Sequence, residues 1–105
     1  MKRIMYVEYK GGGLEGPGRI GWVELSKTGK MFYYQDKRLL KTKSGFKHNC
    51  YDRETHEEYW VSGPKKDGSD RLYGGAVEID EDAREEYWTK IRKLPQNKNL
   101  TSYKC

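Results

Sequence analysis

Residues 18–35, GRIGWVELSKTGKMFYYQ, read as two aromatic-rich strands around a tight turn, and that reading decides the fold class. From Arg19 to Leu25, Ile20 and Trp22 alternate with Gly21, Val23 and Leu25, which is the two-residue period of a strand and not the 3.6-residue period of a helix. Ser26-Lys27-Thr28-Gly29-Lys30 has the composition of a short hairpin loop, with Gly29 free to take the positive φ such loops need. Met31 to Gln35 returns as the next strand, and Gly21 leaves room beside a ring or another backbone.

Outward from this hairpin the strand pattern continues. Lys2 to Lys10 is a strand with Ile4, Tyr6 and Glu8 on one face and Met5, Val7 and Tyr9 on the other, so both faces are partly apolar. Lys37 to Lys43 is a basic stretch around Leu39-Leu40, expected as a short edge strand because lysines on an edge discourage unwanted pairing. Phe46 to Tyr51 and Glu57 to Ser62 form a second hairpin around Asp52-Arg53-Glu54-Thr55-His56, whose charges are expected in solvent. Gly63 to Gly75 is the longest irregular segment, rich in Gly, Pro and Asp.

One helix is expected, over Asp80 to Lys93. Asp80 is its candidate N-cap, and Glu81 and Asp82 in the first turn suit the helix dipole. Ala83, Tyr87, Trp88, Ile91 and Leu94 make a single apolar stripe that must pack on a face or an open end of the sheet, and Pro95 closes the helix. Residues 96–105 lack an apolar pattern and read as a flexible tail beyond one domain of residues 1–95.

With 105 residues there is room for one core only. Leu, Ile, Val and Phe number 17 together, but nine Tyr and three Trp add large apolar bodies with one polar end each. The expected fold is α+β: a small curved antiparallel sheet of five to seven strands, a geometry that accommodates an SH3-like barrel, with one C-terminal helix. No run approaches the roughly 20 apolar residues of a membrane span, and Glu8 ends the first apolar run after four residues. Cys50 and Cys105 stand far apart, so a reducing cytoplasm is the expected location.

Charge segregates along the chain. Residues 1–49 carry net +7, residues 50–89 net −7, and the last 16 residues five further cations. Such segregation either separates two faces or neutralises itself in internal ion pairs.

The motifs that suggest catalysis fail on context. Gly16-Pro17-Gly18-Arg19-Ile20-Gly21 matches GxGxxG, but a strand-like run follows where a dinucleotide site needs a helix N-terminus. Thr28-Gly29-Lys30 resembles the end of a phosphate-binding loop, yet Met31 stands where a metal-binding hydroxyl belongs. Lys27-Thr28-Gly29 and Ser44-Gly45-Phe46-Lys47 match penicillin-binding elements in the wrong order. His48, Cys50, Asp52 and His56 carry metal or nucleophile chemistry without a diagnostic spacing. No catalytic residue, metal or cofactor is assigned.

The stronger lead is a basic and aromatic surface. Lys27, Lys30, Lys37, Arg38, Lys41, Lys43 and Lys47 interleave with Tyr33 and Tyr34, and Trp22 lies nearby, a composition suited to tracking a phosphate backbone while bases stack on rings. The expected function is therefore a non-enzymatic binding module for nucleic acid. The alternative is a protein-interaction module using the acidic Cys50 to Glu86 half or the loop residues Lys65, Lys66, Asp70, Arg71 and Tyr73.

The segments SKTGK (26–30), YWVSGPKK (59–66), DRLYGG (70–75) and EEYW (85–88) together resemble a family of small, uncharacterised bacterial proteins of about this length. Some members of that family carry a deoxyxylulose-phosphate synthase label, but the thiamine diphosphate motif of that enzyme has no counterpart in this chain. The resemblance implies no catalytic or binding residues. Many relatives have Gly where this chain has His56, which implies a positive-φ turn position there.

Overall fold

Both apolar faces of the first strand are used, and this organises the molecule. The computed structural model describes residues 1–11, 16–42, 49–71 and 75–104. In β1 (Lys2–Tyr9), Met5 and Val7 point into a barrel, whereas Ile4 and Tyr6 point outward into a second core. β2 (Gly18–Leu25) divides in the same way, with Val23 inside and Ile20 outside. A fully buried branched side chain of this kind contributes about 2 kcal/mol.

The fold is α+β, as the sequence indicated, and the curved antiparallel sheet closes on itself. β1, β2, β3 (Met31–Tyr34), β4 (Lys37–Lys41), β5 (Cys50–Asp52) and β6 (Glu58–Ser62) pair in chain order, each antiparallel to the next, and β6 returns to β1. The interior of this six-stranded barrel is filled by Met5, Val7, Val23, Phe32, Tyr34, Leu39, Cys50, Tyr59 and Val61. Closure corrects one expectation: β4 is no edge, because β3 and β5 flank it on both sides.

β7 (Ala76–Ile79) joins the N-terminal half of β2 in parallel, and β8 (Ser102–Lys104) pairs with β7. Among the described residues eight strands therefore form where five to seven were expected, and β8 lies in the segment expected to be a flexible tail. Tyr103 explains the difference. Its ring stacks on Tyr87 at 5.7 Å, and the β7 backbone supplies the ladder that the apolar pattern does not advertise.

The helical segment between β7 and β8 is a 3₁₀ turn (Glu81–Ala83), one α-helical turn, α1 (Arg84–Glu86), and a π-helical turn (Tyr87–Ile91). Its stripe packs on the outer face of β1 and β2, where Ala83, Tyr87 and Trp88 are buried with Ile4, Tyr6, Ile20, Val77 and Ile79. The wider π turn accommodates Tyr87 and Trp88, adjacent residues that are both buried.

Two turn positions follow from the backbone. Gly29 takes φ +71° in the β2–β3 loop, and His56 takes φ +63°, a conformation that costs a non-glycine residue energy. His56 stacks on Tyr51 with nearly parallel rings. The charges of this second turn are not all in solvent. Asp52 is buried, and its carboxylate accepts the backbone N–H groups of Glu54 and Thr55 at 2.8 and 3.3 Å, closing the turn.

Candidate functional site

The antiparallel register sorts the charges by barrel end. The Leu25 N–H donates to the Met1 carbonyl, Ser26 to Met31, and Lys41 to Lys30, which sets Lys2, Arg3, Lys27, Lys30 and Lys41 around one rim. All five are exposed, and no ion pair joins any of them to an acid among the described residues. Glu24, across from Lys2, is the acid in their midst. The opposite end carries the β3–β4 and β5–β6 turns and the start of the helical segment, so Asp36, Glu54, Glu57, Asp80, Glu81 and Asp82 lie there and outnumber the cations Arg19, Lys37 and Arg53 of the same end.

Strand alternation divides the proposed binding residues. Tyr33 is 39% exposed on the outer face, paired across the ladders with Glu24 and Arg38. Tyr34, one residue on, is 3% exposed inside the barrel, so it is no stacking platform. Trp22 is half-buried against the outer core and donates its indole N–H to the Asp82 carbonyl at 3.0 Å, which also removes it from that role. In β4, Arg38 faces outward, whereas Lys37 and Lys41 share the inward parity of Leu39 and emerge at opposite ends. Lys41 reaches the basic rim, 4.9 Å over the Phe32 ring. Lys37 emerges at the acidic end, 3.8 Å from Asp36. Lys43 and Lys47 lie outside the described residues.

The alternative loop is largely committed to the protein itself. The Asp70 carboxylate accepts the Lys65 N–H and the Tyr103 hydroxyl, both at 2.7 Å, and Arg71 donates to the Gly16 carbonyl at 2.6 Å. Lys65 and Lys66 are exposed, and Tyr73 lies outside the described residues.

Cys50 is a core side chain. It is fully buried, its Sγ contacts the Tyr59 carbonyl at 3.5 Å, and burial pushes its pKa up to about 12, so the thiol stays protonated. His48 lies outside the described residues. Among the described residues no group of three or more His, Cys, Asp or Glu is placed to hold a metal ion. The GxGxxG glycines lead into β2 and not into a helix, so they offer phosphate no helix N-terminus.

Sequence reasoning missed a polar knot at the acidic end. β3 pairs with the end of β2 at Glu24 and Leu25, β7 pairs with its beginning at Gly18 to Ile20, and between them the strand forks. Asp80 fills the fork. It stands at the N-cap position, but its carboxylate does not cap the helix: Oδ1 accepts Arg19 Nε at 2.8 Å and Nη2 at 2.7 Å, and Oδ2 accepts the Tyr34 hydroxyl at 2.6 Å. Gly21 makes the approach possible, since a Cβ there would stand 2.2 Å from Asp80 Oδ2 and 2.7 Å from the Tyr34 ring. Burial, reinforced by the bond to Asp80, raises the Tyr34 pKa well above the usual phenol range.

Asp80→Ala removes the acceptor of the Tyr34 hydroxyl and leaves Arg19 only the exposed Glu78 carboxylate at 4.0 Å. The full cost of breaking a buried pair is discounted because Arg19 is 40% exposed and rehydrates, giving an expected loss of about 2–3 kcal/mol in urea denaturation. A loss below about 0.5 kcal/mol would remove the knot from the account of the fold.

Fold and site together define a class: a small closed barrel with a strand–helix–strand appendage and charge polarised along its axis. No family model, no curated protein and no solved structure matches the chain. Among the described residues, no helix is long and apolar enough to cross a membrane.

Proposed function

We propose that this protein is a non-enzymatic binding module that engages single-stranded nucleic acid at its basic rim. The observation that carries the reading is the convergence of Lys2, Arg3, Lys27, Lys30 and Lys41 on one end of the barrel while the acids collect at the other. A rim of unpaired cations follows a phosphate backbone by releasing its counterions. Tyr33 and Arg38, paired on the outer face three residues along the strands from Lys30 and Lys41, supply an exposed ring and a guanidinium for bases that extend beyond the rim.

The SKTGK segment, part of the resemblance to the small bacterial family, is the loop that carries Lys27 and Lys30. A cytoplasmic location fits the reading, because nucleic acid is present there and the reduced, buried Cys50 is stable there. The acidic end supports a second reading, a protein partner with a basic surface.

Binding of a labelled single-stranded oligonucleotide, followed by anisotropy, is expected to weaken steeply with salt. If all five rim cations meet phosphates, the slope of log affinity against log salt is about −3 to −4. Binding that does not change between low and near-physiological salt contradicts the proposal and favours the protein partner.

A further inference from the structure

At the acidic end of the barrel the described residues line a cavity of about 340 Å3, a volume within the range of small-molecule sites. Val7 belongs to its floor, and the rings of Tyr9, Tyr34 and Tyr59 with Pro17 give it mostly apolar walls. Tyr9 and Tyr59 meet edge to face at 5.4 Å.

The polar groups of the mouth divide into those already paired and those still available. The Tyr9 hydroxyl donates to Glu57 at 2.6 Å, the Tyr34 hydroxyl to Asp80, and Arg19 is bound twice to Asp80. Two donors remain. The Tyr59 hydroxyl makes no hydrogen bond among the described residues, and burial holds the phenol protonated, with its pKa pushed up to about 12. Among the described residues Lys37 pairs with Asp36 alone, at 3.8 Å, and Asp36 is itself 93% exposed, so solvent screens that pair. Two donors above an apolar, ring-lined floor are complementary to an acceptor carrying negative charge.

We propose that the barrel mouth binds a small, flat, apolar molecule bearing one anionic group, with its ring against Tyr9 and Tyr59 and the anion between Lys37 and the Tyr59 hydroxyl. Glu57 at the rim, with Asp36 and Asp80 beside Lys37 and Arg19, opposes negative charge in the mouth, so Lys37 has to carry the preference and more than one anionic group is disfavoured. The site is at the other end of the barrel from the basic rim. It therefore stands or falls independently of nucleic-acid binding.

The test uses three probes of one shape and different charge: 2-naphthoate, 2-naphthylmethanol and 2-naphthylmethylammonium. Each is titrated into the full chain, with NMR detection of the Val7 methyl groups and the Tyr59 ring. The expected result is saturable binding of 2-naphthoate that shifts both signals, with the ammonium probe weaker by about tenfold or more. Lys37→Met, which keeps the apolar stem, is expected to abolish the preference for the anion over the neutral alcohol. No shift at millimolar 2-naphthoate overturns the proposal, as does equal binding of the ammonium probe or a response confined to residues of the basic rim. The three-probe comparison on the unaltered chain decides the matter even if Lys37→Met does not fold.

Discussion

Trp88→Ala is expected to lower stability by about 4 kcal/mol, the largest effect of any single substitution considered. Trp88 is the largest fully buried side chain, and it is the point on which the whole appendage rests. Its ring meets Tyr87 edge to face at 5.2 Å and Tyr103 at 5.9 Å, the Arg92 guanidinium lies 5.0 Å above it, and its indole N–H donates to the Leu100 carbonyl at 3.1 Å. Truncation opens a cavity in the outer core, leaves a carbonyl unsatisfied and takes a stacking surface from Arg92.

The segment has little stability of its own with which to resist. Its single α-helical turn of three residues lies far below the length at which an isolated helix persists in water, so its order comes from packing. The loss should therefore include pairing of β8 as well as the helical turns. Chemical denaturation gives the magnitude, and hydrogen exchange at Tyr103, across from Val77, reports the strand. Trp88→Phe, which retains a ring and loses the hydrogen bond, is expected to cost roughly half as much. A Trp88→Ala loss below about 1 kcal/mol would contradict the dependence of the appendage on this side chain.

Much of the barrel was legible because its signals are local. The two-residue alternation in β1 and β2, the Ser26 to Lys30 loop and the positive φ of Gly29 all follow from neighbouring residues. So does the stripe from Ala83 to Leu94. β8 was illegible because Tyr103 is its single anchoring ring and β7 holds the rest of it through backbone atoms, which leave no trace in composition. The use of Asp80 was illegible for a related reason: an acid before a helix reads as a cap, and only the fork in β2 brings Arg19 and Tyr34 to it.

The candidate site was half legible. The basic run was visible, but treating Lys27 to Lys47 as one surface ignored the alternation already used for the strands. Adjacent residues of a strand face opposite ways, so Tyr33 and Tyr34 cannot both be platforms. The same period separates Arg38 from Lys37, while the strand direction sends Lys37 and Lys41 to opposite ends. Lys2 and Arg3 were missed because they join the rim through the β1–β2 register, a contact between distant parts of the chain. The barrel mouth had one readable sign: Tyr9 shares the inward face of Met5 and Val7, and a tyrosine ending an otherwise aliphatic inner row marks a place where the core meets water.

On the proposed function, charge polarised along the barrel axis makes one end the nucleic-acid surface, and the triple variant Lys27→Ala, Lys30→Ala, Lys41→Ala tests it. Lys27 and Lys30 are exposed in the loop, and Lys41 is exposed at the end of β4, where its removal takes from the core only the contact of its side chain with the Phe32 ring. Removing three phosphate contacts is expected to weaken binding of a labelled single strand by about 100-fold at low salt and to reduce the salt slope by about 2. Lys37→Ala, which deletes a lysine of the same basic run at the other end of the barrel, is the matched comparison. A large loss is expected for the triple variant, and affinity within about twofold of the unaltered protein for Lys37→Ala. Equal losses in both, or no loss in the triple variant, would contradict it.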